Sequence, residues 1–469
     1  TLYLQNGTYT LTADISIPQG VTLAGVSRDG VILNCNTSYK VKIIGSNAYT
    51  TGTLAINDTQ TTVVGTGTTF TSSMVGQFIM LSGVWYEITV FTDTTHLTIS
   101  PAYSGTNLSG YGVVIATVNF AATLSKVTIN NATAEGFKAQ YSQELFLDDV
   151  IIENCGTAFN LDDSVFPRLI VSGVDSGINL DMSNVWGFQI NFSEFSNSTS
   201  GAGIVMNTCG SATVFDSLFK DNTGDGVNLT SCSDIAFVSC GSSGNGGQGI
   251  EFVSGNQDCQ LIAFTCDGNT SDGIKLTATT DRVSISTCSI LNNGGYGINI
   301  AASTCDENQI IAPAFSGNSS GDINDSGTST TVLPQNDIQT FTGNGTWTKP
   351  AGAKSVTVVC IGGGGGGGAG TTDQYGGSGG GGGSYIEKTF SASDLTSTVA
   401  VTVGAGGVGA VASDGTAGGN TSFGSYLIAY GGGAGIKRVS TDHSGGGGGG
   451  WAGAGAIGLN VANSLGGST

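Results

Sequence analysis

The stretch GDGVNLTSCSDIAFVSCGSSGNGGQGIEF, residues 224–252, holds two copies of one short pattern, GDGVNL and GQGIEF. Further copies, DSGINL, GAGIVM, SDGIKL and GYGINI, align Ile178, Ile204, Val227, Ile250, Ile274 and Ile298 in steps of 26, 23, 23, 24 and 24. A weaker copy at Ile323 adds a step of 25. A second column, Asn197, Asn222, Asn245, Asn269, Asn293 and Asn318, runs in step with the first. Before these Asn lie alternating segments such as TVFDSLF, DIAFVSC, QLIAFTC and RVSISTC, whose period of two is that of a strand. A repeat of this length, with two or three short strands and Asn/Gly corners, cannot bury its apolar face alone. It must stack on its copies, about 4.8 Å apart, as a right-handed parallel β-helix. Inward Ile, Leu, Val and Phe then form apolar columns, and the stacked Asn are expected to take the left-handed corners and bond to one another. TAEGFKA (Phe137) and NCGTAFNL (Phe159) extend the pattern, and the regular helix is expected from about Leu124 to Asp325.

Composition narrows the function. Across 469 residues, 34 acids face 14 bases, and the net charge of −20 would repel a phosphate backbone, so nucleic acid is not an expected partner. No stretch reaches the roughly 20 apolar residues of a membrane span. The chain opens on Thr1 without a basic and apolar leader, which reads as a fragment or a processed product. Ten cysteines include no CxxC pair and are expected as small buried hydrophobes. Cys209 and Cys232, equivalent in adjacent coils, are close enough to touch and are expected to stay thiols. His96 and His443 are the only histidines, too few for a zinc centre or a histidine-based triad. The doublets Asp148–Asp149 and Asp162–Asp163 suit Ca²⁺ but are expected as solvated loop residues. The glycine runs lack a nucleotide-binding pattern, and neither a metal nor a cofactor is expected.

Three further segments carry resemblances. TLYLQNGTYTLTADISIPQGVTLAGVSRDGVILNC is similar to the first coils of the pectate-lyase-like superfamily found in many phage tailspikes, through Gly7, Tyr9, Leu11, Ile15, Ile17, Val21, Leu23 and Gly25. Residues 51–117 break the period; GTGTTF, VGQFI, YEI and THLTISPAYSGT resemble a small barrel-like insertion of phage tail fibre and tailspike proteins. Of the 78 Gly in the chain, 41 fall between positions 343 and 469. Phe341, Trp347 and Pro350, then the strand into polyglycine over 356–368, VTVGAGG and TSFG resemble the glycine-rich domain at the ends of many phage tail fibres. In related tips the glycine runs pack as left-handed threefold helices. Four runs alternating with SVTVVCI, SYIEKTF, VAVTV and SYLIAY argue against a tether, which joins two things once. The expected organisation is therefore first coils at 1–50, an inserted β module at 51–117, the β-helix at 118–330, a linker at 331–340 and a glycine-rich domain at 341–469.

The resemblance implies a phage tail fibre or tailspike protein: assembled in the host cytoplasm, located in the virion, commonly homotrimeric, and contacting other tail proteins and a host glycan or outer-membrane protein. Receptor contacts are expected on loops between the glycine runs, with Tyr375, Arg438, His443 and Trp451 as candidates. The alternative is a polysaccharide depolymerase, a glycoside hydrolase or lyase of the β-helix. Its candidate carboxylates are Asp225 and Asp272, two coils and about 9.6 Å apart, near the upper limit for an inverting pair, with Tyr296 on the same stripe. Asp beside Gly at a corner is also ordinary turn chemistry, the simpler expectation. Outward Asn179, Val205, Asn228, Glu251, Lys275 and Asn299 form a neighbouring column, in which Glu251 and Lys275 are expected to pair. A purely structural fibre or a secreted bacterial adhesin is a third reading.

Overall fold

In the computed structural model, residues 1–333, 338–350, 353–370, 376–439 and 444–459 are described. The chain divides into two units, 1–335 and 336–469.

The first unit is a right-handed parallel β-helix with three strands to each regular coil. Its first ladder runs from Leu2–Leu4 to Thr331–Leu333, its second from Gly7–Thr10 to Ala314–Ser316, and its third from Ile15–Ser16 to Gly321–Asp325. Alternate residues point inward, and along the third ladder Ile204, Val227, Ile250, Ile274, Ile298 and Ile323 lie in one register. Thr22–Ala24 stacks directly on Thr123–Ser125, so the segment between interrupts the sequence without interrupting the ladder. Within it Val31–Thr37 and Val41–Ile44 stay in the ladders, and Ser46–Tyr49 to Ile115–Thr117 form an eight-stranded antiparallel sheet around Leu54, Phe70, Ile88, Leu97 and Tyr103. It docks on the helix through Met80, Trp85, Ala116, Val118 and Val165, with Trp186 packed alongside. At Gly83 a Cβ would lie 2.2 Å from the Trp186 ring, so only glycine permits this approach.

The structure corrects the repeat at its upstream end. Leu180, rather than Ile178, pairs with Ile204, and Ile178 pairs with Thr157. Asp181 rather than Asn179 therefore precedes Val205 in the outward column, while Asn179 is fully buried. A two-residue slip preserves strand alternation, so periodicity alone does not detect it. Likewise Asn197 is exposed, and buried Ser198 holds the position next to Asn222. The left-handed residue of each corner is the one before the stacked Asn: Asn197, Asp221, Gly244, Gly268, Asn292 and Gly317 all have positive φ, whereas Asn222, Asn245, Asn269 and Asn293 do not. The inner residue is thereby free to turn its amide into the core. Asn222, Asn245, Asn269 and Asn293 each donate Nδ2 to Oδ1 of the next Asn, at 2.8 to 3.0 Å, ending on Asn318. The same Oδ1 atoms accept backbone N–H groups from the preceding coil. The ladder thus satisfies corner polar groups that burial would otherwise leave unpaired.

The second unit has a small aromatic core in which Trp347 and Phe423 meet edge to face at 5.2 Å, with Phe390, Leu395 and Leu427 around them. Ser355–Ile361 and Tyr385–Ser391 form an antiparallel pair. Beyond them the glycine runs are ordered by backbone bonds with a period of three. Gly362, Gly365 and Gly368 donate to Ser384, Gly381 and Ser378; Gly363, Gly366 and Ala369 donate to Gly419, Thr416 and Ser413. Gly432, Gly435 and Arg438 in turn donate to the carbonyls of Gly363, Gly366 and Ala369. One run is thus bonded on several sides, as a threefold polyproline-type helix allows and a flat strand does not.

Candidate functional site

Three surfaces concentrate chemistry-bearing side chains. The first lies on the third ladder beside the inserted sheet. In the strand Thr157–Val165, inward Leu161 turns Asp162 outward, and Asp163 falls at a left-handed corner. Gln140 Nε2 donates to Asp162 Oδ2 at 2.9 Å, and Asn184 Nδ2 donates to Asp163 Oδ1 at 2.7 Å. The Asn184 amide also lies 3.4 Å from Met80 Sδ of the inserted sheet. Both carboxylates are partly covered, not the solvated loop residues that the doublet suggests. Burial, then the neighbouring Asp163 charge, pushes the Asp162 carboxyl up to about 6. Burial raises Asp163 and Asp181 as well, and lifts the phenols of Tyr111 and Tyr141, which also feel the Asp163 charge. No group of three metal-ligating side chains is present among the described residues.

These shifts set a pH dependence. A carboxyl that ionises later in the folded chain than in the unfolded one binds extra protons while folded, so its contribution falls as pH rises from about 4 to about 6. Asp162→Asn should stabilise the protein at pH 7 by on the order of 1 kcal/mol, the full shift being reduced by solvent that reaches the group. It should change stability little at pH 4. Urea unfolding at both pH values checks this; an equal effect at the two would remove Asp162 as the cause.

The second surface holds Asp225 and Asp272. Asp225 Oδ1 accepts the Gln248 backbone N–H at 2.6 Å, Gln248 Oε1 accepts that of Asp272 at 2.7 Å, and Asp272 Oδ1 accepts that of Tyr296 at 2.6 Å. Their second oxygens accept Asn228 and Asn299 amides at 3.1 and 2.7 Å. Burial raises the Asp225 carboxyl. The two carboxylates sit two coils apart with Gln248 between them, and both serve as acceptors in a ladder that joins successive coils. Beside them Glu251 and Lys275 pair at 2.8 Å in directly opposed positions. All ten cysteines are free and buried, and Cys209 and Cys232 interact as neighbouring thiols.

The third surface is in the glycine-rich unit. An open cleft of about 510 Å³ is lined by Gly383, Tyr385, Glu387, Gly449, Gly450 and Trp451, with Ser384 and Ile386. Trp451 is 79% exposed and Tyr385 61% exposed. The Tyr385 hydroxyl donates to Glu387 Oε2 at 2.7 Å. Trp451 was legible in the sequence as an aromatic directly after a glycine run. Tyr385 and Glu387 were not; their signal was SYIEKTF directly after a glycine run. Arg438 is half-buried, with its backbone N–H bonded to Ala369. Tyr375 and His443 lie outside the described residues. No described helix is long and apolar enough to cross a membrane.

Residues 176–338 match the family of the right-handed β-helix region, and residues 339–469 match the glycine-rich domain. The class is thus an all-β protein that joins a right-handed parallel β-helix to a glycine-rich domain. No curated protein matches the chain. Among solved structures, the A-module of mannuronan C-5 epimerase AlgE4 from Azotobacter vinelandii is 16% identical with a TM-score of 0.46, covering 70% of this chain and 90% of that one. The Gp54 tailspike of Acinetobacter baumannii bacteriophage AP22, in complex with capsular saccharide, is 10% identical with a TM-score of 0.43, covering 77% and 81%. ORF18 of Geobacillus virus E2 is 11% identical with a TM-score of 0.37, covering 76% and 58%.

Proposed function

We propose that this is a bacteriophage tail fibre or tailspike protein that attaches the virion to the host cell surface. The observation that carries the reading is the ordered glycine-rich unit in the same chain as a β-helix. The continuous ladders make the helix a stiff support. The glycine lattice presents the segments between its runs, where Arg438 and Trp451 lie and where Tyr375 and His443 fall in sequence, as contacts for a host glycan or outer-membrane protein. Assembly in the host cytoplasm, trimerisation and contacts to other tail proteins belong to the same reading. Deleting residues 340–469 should abolish adsorption to host cells while leaving the β-sheet circular dichroism of the remaining chain. Unchanged adsorption by the folded truncated protein would overturn the proposal.

A second reading, a polysaccharide depolymerase, is favoured by Asp162, whose carboxyl near 6 suits a general acid and lies on the outer side of the helix beside Tyr141. Incubation with host capsule or lipopolysaccharide should then release reducing ends, and Asp162→Asn should lower the rate at least about a hundredfold. No release by the intact protein discards this reading.

A further inference from the structure

The Trp451 cleft points to a defined ligand class. It rests on the attachment reading and makes it specific: we propose that Trp451, Tyr385 and Glu387 form a binding site for a neutral saccharide. Trp451 and Tyr385 line one cleft, Ile361 pairs with Tyr385, and all three are more than 60% exposed; a contiguous exposed apolar patch of this kind marks an interaction surface. Trp451 stands in a tight turn closed by the Gly450 N–H on the Gly453 carbonyl at 2.9 Å. Tyr385 opens the strand on the facing wall, and Gly449 ties the two walls together by donating to the Gly382 carbonyl at 2.8 Å. The floor is backbone: a Cβ on Gly383 would lie 2.0 Å from the Gly362 oxygen, and one on Gly449 would lie 2.3 Å from the Tyr430 oxygen. The floor is therefore closely packed main chain, and with Gly449 bonded to Gly382 the framework of the site is set before a ligand arrives.

The chemistry selects the occupant. A pyranose offers a flat C–H face for an aromatic ring and hydroxyl donors around its edge. Glu387 is an acceptor-only group, already oriented by the Tyr385 hydroxyl, and its free lone pairs match those donors. The same carboxylate, on a chain of net charge −20, disfavours uronic or sialic acids and selects neutral sugars. A second copy of this chain seated on Trp451, Tyr385 and the adjacent exposed Ile361 would be a different occupant, and the test separates the two.

The full-length protein is applied to an array of neutral and acidic bacterial surface oligosaccharides. It should bind neutral members, and Trp451→Ala and Tyr385→Ala should each weaken that binding by at least about tenfold, as aromatic contacts at a binding centre do. Glu387→Gln should weaken it less, because the amide keeps one acceptor. Trp85 and Trp347 are buried and Trp186 half-buried, so Trp451 is the most exposed of the four tryptophans, and bound sugar should lower the accessible part of the acrylamide quenching. No binding to any neutral glycan, or equal binding by the variants, overturns the proposal. So does a Trp451→Ala protein that changes oligomeric state in sedimentation while glycan binding persists. Host adsorption measured in parallel keeps the two ideas apart. A Trp451→Ala protein that adsorbs normally rejects this cleft and leaves the attachment reading standing, whereas normal adsorption without residues 340–469 rejects the attachment reading.

Discussion

Gly365→Ala should dismantle the glycine-rich unit, while Gly364→Ala, one residue earlier, should leave it intact. A Cβ at Gly365 would lie 2.0 Å from the Gly433 carbonyl oxygen, a backbone atom that no rotamer change can move. At Gly364 the nearest atom would be 3.7 Å away, an ordinary contact. The pattern repeats with the threefold period: Gly379 and Gly382 also have room and Gly367 nearly so, at 3.3 Å, whereas Gly366, Gly368, Gly380, Gly381 and Gly383 have none. Displacing the Gly365 segment also endangers the bond from its N–H to the Gly381 carbonyl and those of its neighbours to 416 and 435. The expected cost exceeds about 3 kcal/mol, at the upper end of overpacking because the obstacle is main chain. Gly364→Ala should instead gain up to about 1 kcal/mol by restricting the unfolded chain. Limited proteolysis of the full-length protein reads both: rapid cleavage beyond residue 340 in Gly365→Ala, and wild-type resistance in Gly364→Ala. Equal resistance of the two variants would return the runs to the status of a tether.

Asn245→Ala should cost the β-helix about 3–5 kcal/mol. The Asn245 side chain accepts the Asn222 backbone N–H at 3.1 Å and its amide at 2.9 Å. Its two amide hydrogens are shared among the Phe219 carbonyl, Ser242 Oγ and Asn269 Oδ1, at 3.1, 3.0 and 2.8 Å. Asn222, Ser242 and Asn269 are at most 2% exposed, so water cannot replace what is lost, and each unpaired group costs about 1–3 kcal/mol less whatever relaxation recovers. Asn197→Gly is the control: Asn197 is exposed, its φ is +54°, and glycine adopts that conformation without strain, so stability should change by less than about 0.5 kcal/mol. The shift in urea midpoint between the two variants decides whether the inner Asn or the corner residue holds the coils together.

The architecture was legible because stacking imposes a repeat, and a step of 23 to 25 recurring from Ile204 to Ile323 is what a pile of equal coils requires. What slipped, slipped by one or two positions. Ile178 stood in for Leu180 because strand alternation is blind to a shift of two, and the stacked Asn were assigned the left-handed corners that their predecessors occupy. The site was less legible. Exposure of Trp451 follows from its glycine neighbours, but that Tyr385 and Glu387 face it depends on which side of the strand meets the lattice. The raised carboxyl of Asp162 depends first on burial by the surrounding strands, which no local pattern encodes, and then on the charge of the adjacent Asp163.

The glycine lattice is held by main-chain bonds and close main-chain contacts, so most positions in its runs are compelled to be the same residue, and none of those residues says anything particular about this protein. Individuality is pushed into the segments that join the runs. Support and message are thereby written in separate alphabets: the contact surface can be respelled, turn by turn, without one letter of the frame that carries it being changed.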